Sequence, residues 1–144
     1  MNIRGMTEED LEQVVELEQE LFSMPWSYQG FQSALGREDT IYLVAEEEGR
    51  VAGYCGLMQI LDEGDITNVA VDPSHRRKHI AQSMLSRLLD LAGERGVGQV
   101  TLEVRESNLA ARSLYQKLGF AEEGLRRNFY EKPVEHAVIM WKRG

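Results

Sequence analysis

The sequence predicts one domain of mixed α/β (α+β) class, in which seven strands form a mostly antiparallel sheet with helices on both faces. Short runs rich in β-branched and aromatic residues alternate with amphipathic stretches of helical period. A strand at Ile66–Val71 is followed by an amphipathic helix and a strand at Gln99–Val104. Such a unit forms a right-handed crossover, so the fourth and fifth strands should be parallel. Neither a linker nor a repeat interrupts residues 1–144, which we assign to a single domain.

Capping residues and apolar spacing place the individual elements. A capping-box pattern at Thr7 and Asp10 opens a first helix over Thr7–Phe22. Ser27 caps a second helix that Gly36 ends, and Asn108 caps a last helix that Gly119 ends. Leu61–Asp65 is predicted as the turn before the fourth strand. The predicted strands are Asn2–Arg4, Thr40–Ala45, Val51–Ile60, Ile66–Val71, Gln99–Val104, Phe120–Leu125 and Val134–Trp141.

Charge and hydropathy bound the class of partner. The 16 basic and 24 acidic residues give a net charge of −8, which argues against direct nucleic-acid binding and favours basic partners. No run approaches the ~18 apolar residues of a membrane span, and the first ten residues lack an apolar signal core. We therefore expect a cytoplasmic protein without membrane contact, as a monomer or weak dimer.

The single cysteine, Cys55, excludes an intrachain disulfide and any multi-cysteine metal site. The three histidines, His75, His79 and His136, do not show metal-ligand spacing with it, so we predict no metal. Cys55 lies in the middle of a predicted strand without an identified histidine partner. We therefore interpret it as packing rather than as the nucleophile of an acyl-cysteine mechanism.

A basic loop, Ser74–Ala81, separates the fourth strand from its helix and carries Arg76, Arg77 and Lys78. The first N–H groups of a helix lack intrahelical partners and lie at the positive end of its dipole, so this loop suits a phosphate. On composition alone, a solvated surface run explains it as well. The G-K-[ST] and G-x-G-x-x-G patterns are absent, which removes the main support for a nucleotide hydrolase or a Rossmann dinucleotide site.

The loop sequence R-R-K-H-I-A resembles the acyl-CoA pyrophosphate loop of the GNAT N-acetyltransferases, Q/R-x-x-G-x-G/A. Arg76 and Ala81 match its first and last positions, whereas His79 stands where the family normally has glycine. The order of predicted elements matches the GNAT fold over essentially the full length. The motifs that resemble the RimI-type ribosomal-protein-alanine branch most closely are P-W-S (Pro25–Ser27), A-G-Y-C-G (Ala52–Gly56), N-V-A-V-D-P (Asn68–Pro73), L-E-V-R-E-S-N-L-A-A (Leu102–Ala111), L-Y-Q-K-L-G-F (Leu114–Phe120) and R-R-N-F-Y (Arg126–Tyr130).

This resemblance implies direct transfer of acetyl from acetyl-CoA to an amine, in a cleft where the fourth and fifth strands splay apart. A bulge in the fourth strand would free a backbone N–H for an oxyanion hole. The implied acetyl-CoA contacts are Val69, Ala70, Val71, Arg76, Arg77, Lys78, His79, Ile80, Ala81, Gln82 and Asn108. Glycine in the loop permits close approach to phosphate, and at ordinary helical dihedrals His79 would still donate its N–H and change only the crowding.

The resemblance assigns Glu103 as general base and Tyr115 as the acid that protonates the departing thiolate. Strand alternation makes Glu103 the single acid in an otherwise apolar strand, and a paired surface glutamate is the alternative. A phenol of pKa ~10 protonates a thiolate whose thiol has pKa ~8.5 at a cost of about 2 kcal/mol, so its surroundings would have to close that gap. Packing on the apolar stripe of its helix is the alternative for Tyr115.

The acceptor implied by the resemblance is a basic protein N-terminus, most specifically the N-terminal alanine of ribosomal small-subunit protein eighteen. The segments that line the acceptor groove in the family correspond here to Trp26, Tyr28, Arg127, Asn128 and Tyr130. Core packing and salt bridges are the alternative roles of these side chains. Two other functions stay open: a GNAT enzyme acting on lysine side chains or a small amine, and a non-catalytic acyl-CoA-binding module.

Overall fold

The computed structural model describes the backbone of residues 1–144 and every side chain except those of residues 76–78. The strands are β1 Asn2–Gly5, β2 Thr40–Glu47, β3 Arg50–Ile60, β4 Glu63–Val71, β5 Gln99–Arg105, β6 Ala121–Tyr130 and β7 Glu135–Arg143. The helices are α1 Leu11–Leu21, α2 Tyr28–Leu35, α3 Ile80–Glu94 and α4 Leu109–Lys117. The strand order is β1-β2-β3-β4-β5-β7-β6. All pairs are antiparallel except β4–β5, which confirms the predicted mixed sheet.

Each face of the sheet has its own core. On one face, which we call the α3/α4 face, Ile80, Met84 and Leu88 pack with apolar residues of the central strands and with Tyr115 of α4. On the opposite α1/α2 face, the core contains Leu11, Phe31, Tyr42 and Tyr54 among others. Helices therefore cover both faces, as the sequence predicted.

Three element boundaries differ from the prediction by three residues or more. The capping-box residues Thr7 and Asp10 close a short 3-10 turn, with Thr7 N donating to Asp10 Oδ2 at 2.8 Å, so α1 begins only at Leu11. β4 begins at Glu63, because residues predicted as a turn pair with both β3 and β5. β6 continues to Tyr130, beyond the predicted end at Leu125, through an irregular pairing with β7.

The two parallel strands diverge soon after they meet. Only Glu63–Asp65 of β4 pair with Gln99–Thr101 of β5, although β4 continues to Val71 and β5 to Arg105. Both strands instead remain paired with their antiparallel neighbours, β3 and β7. The predicted splay is therefore present, and it opens a gap in the centre of the sheet.

A bulge lies in β4 beside this gap, as predicted. Gly56 of β3 pairs with Asn68, but the next β3 residue, Leu57, pairs with Ile66, so Thr67 is the extra residue. The Tyr42 hydroxyl holds the bulge from β2: it lies 2.9 Å from Thr67 Oγ1 and 3.1 Å from the Asn68 Oδ1 that it hydrogen-bonds. A tyrosine two strands away thus fixes the backbone irregularity.

Gly56→Ala should destabilise the fold and loosen this bulge. A Cβ at Gly56 would collide with the Tyr42 ring, which is buried and cannot move without breaking its hydrogen bonds to the bulge. We expect a loss of about 1–3 kcal/mol in the free energy of unfolding, as for other overpacked cores, measured by urea denaturation.

Gly93→Ala is the matched control, because a Cβ at this α3 position meets nothing within 4 Å. Alanine is the better helix former, so this change should stabilise the protein by about 0.5–1 kcal/mol. Equal effects of the two substitutions would show that the Tyr42 contact does not constrain residue 56.

Candidate active site

The gap between β4 and β5 continues into a cleft of about 650 Å³ that reaches both faces of the sheet. From the α3/α4 face it is lined by Leu102, Asn108 and Tyr115, and from the α1/α2 face by Glu18 and Glu103. Two reactants can therefore approach the same point from opposite faces.

The backbone of β4 supplies hydrogen-bonding groups to the gap. Asp72 N donates to the Ala52 carbonyl of β3 at 2.7 Å. Because backbone groups alternate between the two sides of a strand, the Ala70 N–H also faces β3, whereas the Val69 N–H faces the side from which β5 has diverged. Val69 lines the cleft, so its N–H is placed to donate to an oxygen there. The Ala70 side chain is instead buried in the α1/α2 core.

Glu103 projects from β5 into the cleft on the α1/α2 face. Val100, Leu102 and Val104 are buried in the α3/α4 core, so the alternate residues, including Glu103, face the other way, as predicted. Its Oε1 lies 3.7 Å from Arg126 Nη1, whereas its buried Oε2 has no hydrogen-bond partner among the described residues. This unpaired carboxylate oxygen can accept a proton or a hydrogen bond from a molecule in the cleft.

Tyr115 reaches the cleft from α4 and belongs to the α3/α4 core. Its ring packs against Phe120 at 6.0 Å between centroids. Tyr115 is therefore both a packing residue of its helix and a residue of the cleft. Its hydroxyl makes no hydrogen bond to the described part of the chain. Burial, followed by the nearby Tyr130 and Cys55, raises the Tyr115 pKa. The surroundings therefore widen the gap to the thiol pKa rather than close it.

Tyr130 and Asp65 add two further ionisable groups to the cleft. Burial, and next the charge of Glu103, raises the pKa of Tyr130 to about 12. Burial also raises the pKa of the Asp65 carboxyl, and Glu103 adds to that rise. Asp65 was not among the predicted site residues, because it was expected in a turn.

Glu18 is a second cleft residue that was not predicted. Its position on the apolar stripe of α1, where a glutamate is unusual, is the sequence signal that could have identified it. It is 3% exposed. Its Oε1 accepts the Tyr54 hydroxyl at 2.7 Å, and its Oε2 accepts the backbone N–H of Trp26 at 3.0 Å. These two bonds fasten the α1–α2 connection at the mouth of the cleft.

Arg105 fastens the other side of the mouth. Its guanidinium donates to the carbonyl oxygens of Glu131 and Pro133 and forms an ion pair with Glu135 at 3.1 Å. It also lies 4.5 Å above the centroid of the Tyr130 ring. The β6–β7 connection is thereby held over the gap.

The predicted acceptor residues fall into two groups. Trp26 and Tyr130 line the cleft, although the Trp26 ring also packs on Phe31 at 5.2 Å between centroids. Tyr28, Arg127 and Asn128 lie outside the cleft lining. Tyr28 is 38% exposed at the start of α2, and the Asn128 N–H donates to His136 Nδ1 in the irregular part of β6. The structure does not bring these three residues together with Glu103.

The predicted phosphate-binding loop, Ser74–Ala81, lies where β4 leads into α3. Asp72 Oδ1 accepts the Ser74 N–H at 3.0 Å, and a 3-10 turn spans Pro73–Lys78. The predictions for the side chains of Arg76, Arg77 and Lys78 fall outside the described residues.

Of the three α3 residues predicted to contact the cofactor, Ile80 is buried in the core, Ala81 is half-buried and Gln82 is exposed, so the Ile80 side chain serves packing. Asn108 lines the cleft and caps α4 through its Oδ1.

His79 departs from helical dihedrals. It lies at φ 55° and ψ 28°, in the left-handed region. Glycine adopts this conformation without the steric cost that a Cβ brings. At the loop position where the resemblance expects glycine, the backbone therefore takes a conformation that glycine adopts most easily.

His79→Gly should raise the free energy of unfolding by about 1 kcal/mol, because it removes the Cβ from a left-handed residue. Urea denaturation measures the change. His79→Ala is the matched control, since it removes the imidazole but keeps the Cβ, and we expect no gain from it. A gain shared by both variants would assign the effect to the imidazole instead of to the backbone.

A mixed sheet with a splayed parallel pair, a bulge beside the gap, a strand amide that faces the gap and a carboxylate in the same cleft defines an acyltransferase of the acyl-CoA-dependent N-acetyltransferase class. Residues 11–120 match the acetyltransferase (GNAT) family. The chain belongs to the GNAT family and is an N-acetyltransferase.

Relatives and solved structures agree with this assignment. The ribosomal protein bS18-alanine N-acetyltransferase of Escherichia coli is 36% identical over 140 residues, which cover 96% of this chain and 94% of the relative. The enzyme of that name from Salmonella typhimurium is 38% identical over 133 residues, covering 91% and 89%. The crystal structure of the ribosomal-protein-S18-alanine N-acetyltransferase from Escherichia coli superposes with a TM-score of 0.91 at 35% identity, covering 99% of this chain and 92% of that chain.

Metal sites and membrane-spanning helices are two further features that the described residues can be examined for. Among the described residues, no group of three or more His, Cys, Asp or Glu side chains is arranged to hold a metal ion. No helix in the described part of the chain is long and apolar enough to cross a membrane. Burial raises the pKa of Cys55 to about 12, which agrees with its interpretation as packing.

Proposed function

We propose that this protein transfers acetyl from acetyl-CoA to the α-amine of a basic protein N-terminus, specifically the N-terminal alanine of ribosomal protein bS18. The observation that carries the proposal is the Glu103 carboxylate, whose Oε2 has no hydrogen-bond partner among the described residues, in a cleft open to both faces of the sheet. Names of relatives at 36% and 38% identity support the choice of acceptor. The net charge of −8 suits a basic partner.

The donor occupies the α3/α4 side in this proposal. Acetyl-CoA supplies an acetyl thioester, and the Val69 N–H polarises its carbonyl oxygen. The other β4 positions, Ala70 and Val71, contribute main-chain contacts. The turn at 76–78, His79 and the first turn of α3 hold the pyrophosphate with backbone N–H groups. Asn108, at the start of α4, contacts the pantetheine side.

Glu103 acts as the base from the α1/α2 side. An α-amine of pKa ~7.8 needs only about 1 kcal/mol to become neutral at pH 7, whereas a lysine of pKa ~10.4 needs about 4.6 kcal/mol. A single carboxylate base suits the easier deprotonation. The α-amine is therefore the acceptor that this site handles best.

Tyr115 acts as the acid at the departing thiolate. Because its pKa is raised, the phenol is protonated at the start of every turnover. Full proton transfer to the thiolate is uphill by more than the ~2 kcal/mol calculated for unperturbed groups. The hydroxyl therefore works first as a hydrogen-bond donor that stabilises the developing negative charge on sulphur.

Mass spectrometry of one acceptor peptide tests the proposal. The peptide begins Ala-Arg-Tyr-Phe and contains an internal lysine, and it is fragmented after incubation with the protein and acetyl-CoA. We expect acetyl on the α-amine, with no product from a control peptide whose N-terminus is already blocked. Acetyl on the lysine would move the assignment to a lysine acetyltransferase. Acetyl-CoA binding without any product would indicate a different acceptor or a binding module.

A further inference from the structure

Asp65 lies beside Glu103 at the point where the sheet opens. It is the last β4 residue that pairs with β5, opposite Thr101, and Glu103 is two residues further along β5. A Cβ on Gly64 would contact Leu57 and Val97 of the α3/α4 core, so the next side chain, Asp65, points to the α1/α2 side, as Glu103 does. Both carboxyl groups line the cleft.

The charges around Asp65 are mostly negative. Glu103 of β5 and Glu18 of α1 line the same cleft, and the charge of Asp65 also reaches the Tyr42 phenol, whose pKa it helps to raise. The one nearby cation identified among the described side chains is Arg126, which is 57% exposed and lies 3.7 Å from Glu103 Oε1. Arg105 is directed to loop carbonyls and Glu135 instead. The cleft thus holds more negative charge than its described residues neutralise.

We propose that Asp65 is a second acceptor-site carboxylate, which with Glu103 binds the incoming N-terminus as an α-ammonium ion and assists its deprotonation. The inference rests on the proposed function and deepens it, because it states the charge form in which the acceptor is recognised. An ammonium group brings three N–H donors. The structure offers the unpaired Glu103 Oε2 and the Asp65 carboxylate to receive them.

The proton balance follows from this arrangement. One N–H bond of the ammonium breaks, its proton passes to Glu103, and the electron pair stays on nitrogen. The nitrogen then attacks the thioester carbonyl carbon, the C–N bond forms, and the C–S bond breaks. The nitrogen loses its second proton as the amide forms, the thiolate is protonated, and one proton is released to solvent overall. Asp65 takes no proton in these steps; its carboxylate holds the ammonium ion beside Glu103 and so assists the transfer by positioning the acceptor.

Asp65→Asn tests this role, with Asp62→Asn as the matched control. Asp62 is exposed in the turn before β4 and outside the cleft lining, so its substitution removes the same charge from a neighbouring position. For Asp65→Asn we expect the KM of the alanyl peptide to rise about tenfold and the KM of acetyl-CoA to stay unchanged. Identical behaviour of the two variants would overturn the proposal.

A second measurement uses the wild-type protein and does not depend on the variant's folding. Calorimetry at pH 6, with CoA bound, compares the alanyl peptide with its desamino analogue, in which propionyl replaces alanyl. We expect at least tenfold tighter binding of the alanyl peptide, and equal affinities would refute recognition of the ammonium ion. If the wild type does not acetylate the α-amine at all, the proposed function fails. If the wild type turns over normally and Asp65→Asn has unchanged kinetics, the role of Asp65 is refuted and the proposed function stands.

Discussion

Glu103→Gln is expected to lower kcat by about 10²- to 10⁴-fold, the usual contribution of a general base. Glutamine keeps the size and the cleft position of the side chain but cannot accept the proton of the acceptor amine. The ion pair with Arg126 is long, at 3.7 Å, and Arg126 is largely exposed, so its loss should cost little stability. Steady-state turnover of the alanyl peptide, with urea denaturation of the same sample, measures both quantities.

Glu106→Gln is the matched control for this prediction. Glu106 follows β5 in an exposed position outside the cleft lining, so the same charge is removed three residues away. Its turnover should remain within about twofold of the wild type. If Glu103→Gln retained wild-type turnover, the base would have to be another group, and Asp65 would be the first to examine.

Tyr115→Phe is the second large effect we expect, with kcat lower by about 10²-fold. The ring would remain packed against Phe120, and the hydroxyl has no hydrogen bond to lose within the described part of the chain. The free energy of unfolding should therefore change little, while the departing thiolate loses its hydrogen-bond donor. Single-turnover kinetics at saturating acetyl-CoA isolates the chemical step.

Tyr54→Phe is the matched control. It also removes a phenolic hydroxyl, but it should lower the free energy of unfolding more than the rate of the chemical step. The Tyr54 hydroxyl donates to the buried Glu18 carboxylate at 2.7 Å, so its loss leaves a buried acceptor unsatisfied and should cost about 1–3 kcal/mol of stability. Its effect on the chemical step should be smaller than that of Tyr115→Phe. Equal rate losses in both variants would indicate a general loosening of the cleft rather than an acid at residue 115.

The phosphate loop shows how far a local pattern predicts a conformation. The glycine position of the R-R-K-H-I-A stretch was recognisable from its neighbours, and His79, which stands there, adopts the left-handed conformation. The choice between helical and left-handed dihedrals at His79 could not be made from the residue type. It depends on how the chain enters α3, whose first residue, Ile80, is buried in the α3/α4 core.

Strand boundaries and cleft residues were harder to predict. Asp65 was placed in a turn because the acidic and glycine-containing stretch before Ile66 is typical of turns. Pairing with β3 on one side and β5 on the other extends β4 back to Glu63. Where pairing with neighbouring strands places a residue in a strand, the local sequence indicates that strand only weakly.

The sequence by itself determined the fold class, the order of elements, the parallel β4–β5 pair and the side of β5 on which Glu103 projects. These follow from hydrophobic period, capping residues and crossover geometry, which are properties of short segments. Only the tertiary structure decided which side chains share the cleft. It brought Asp65 and Glu18 to Glu103, left Tyr28, Arg127 and Asn128 outside the lining, and raised the pKa of Tyr115. Burial and the approach of charges from distant strands depend on the packed chain as a whole, and no local pattern encodes them.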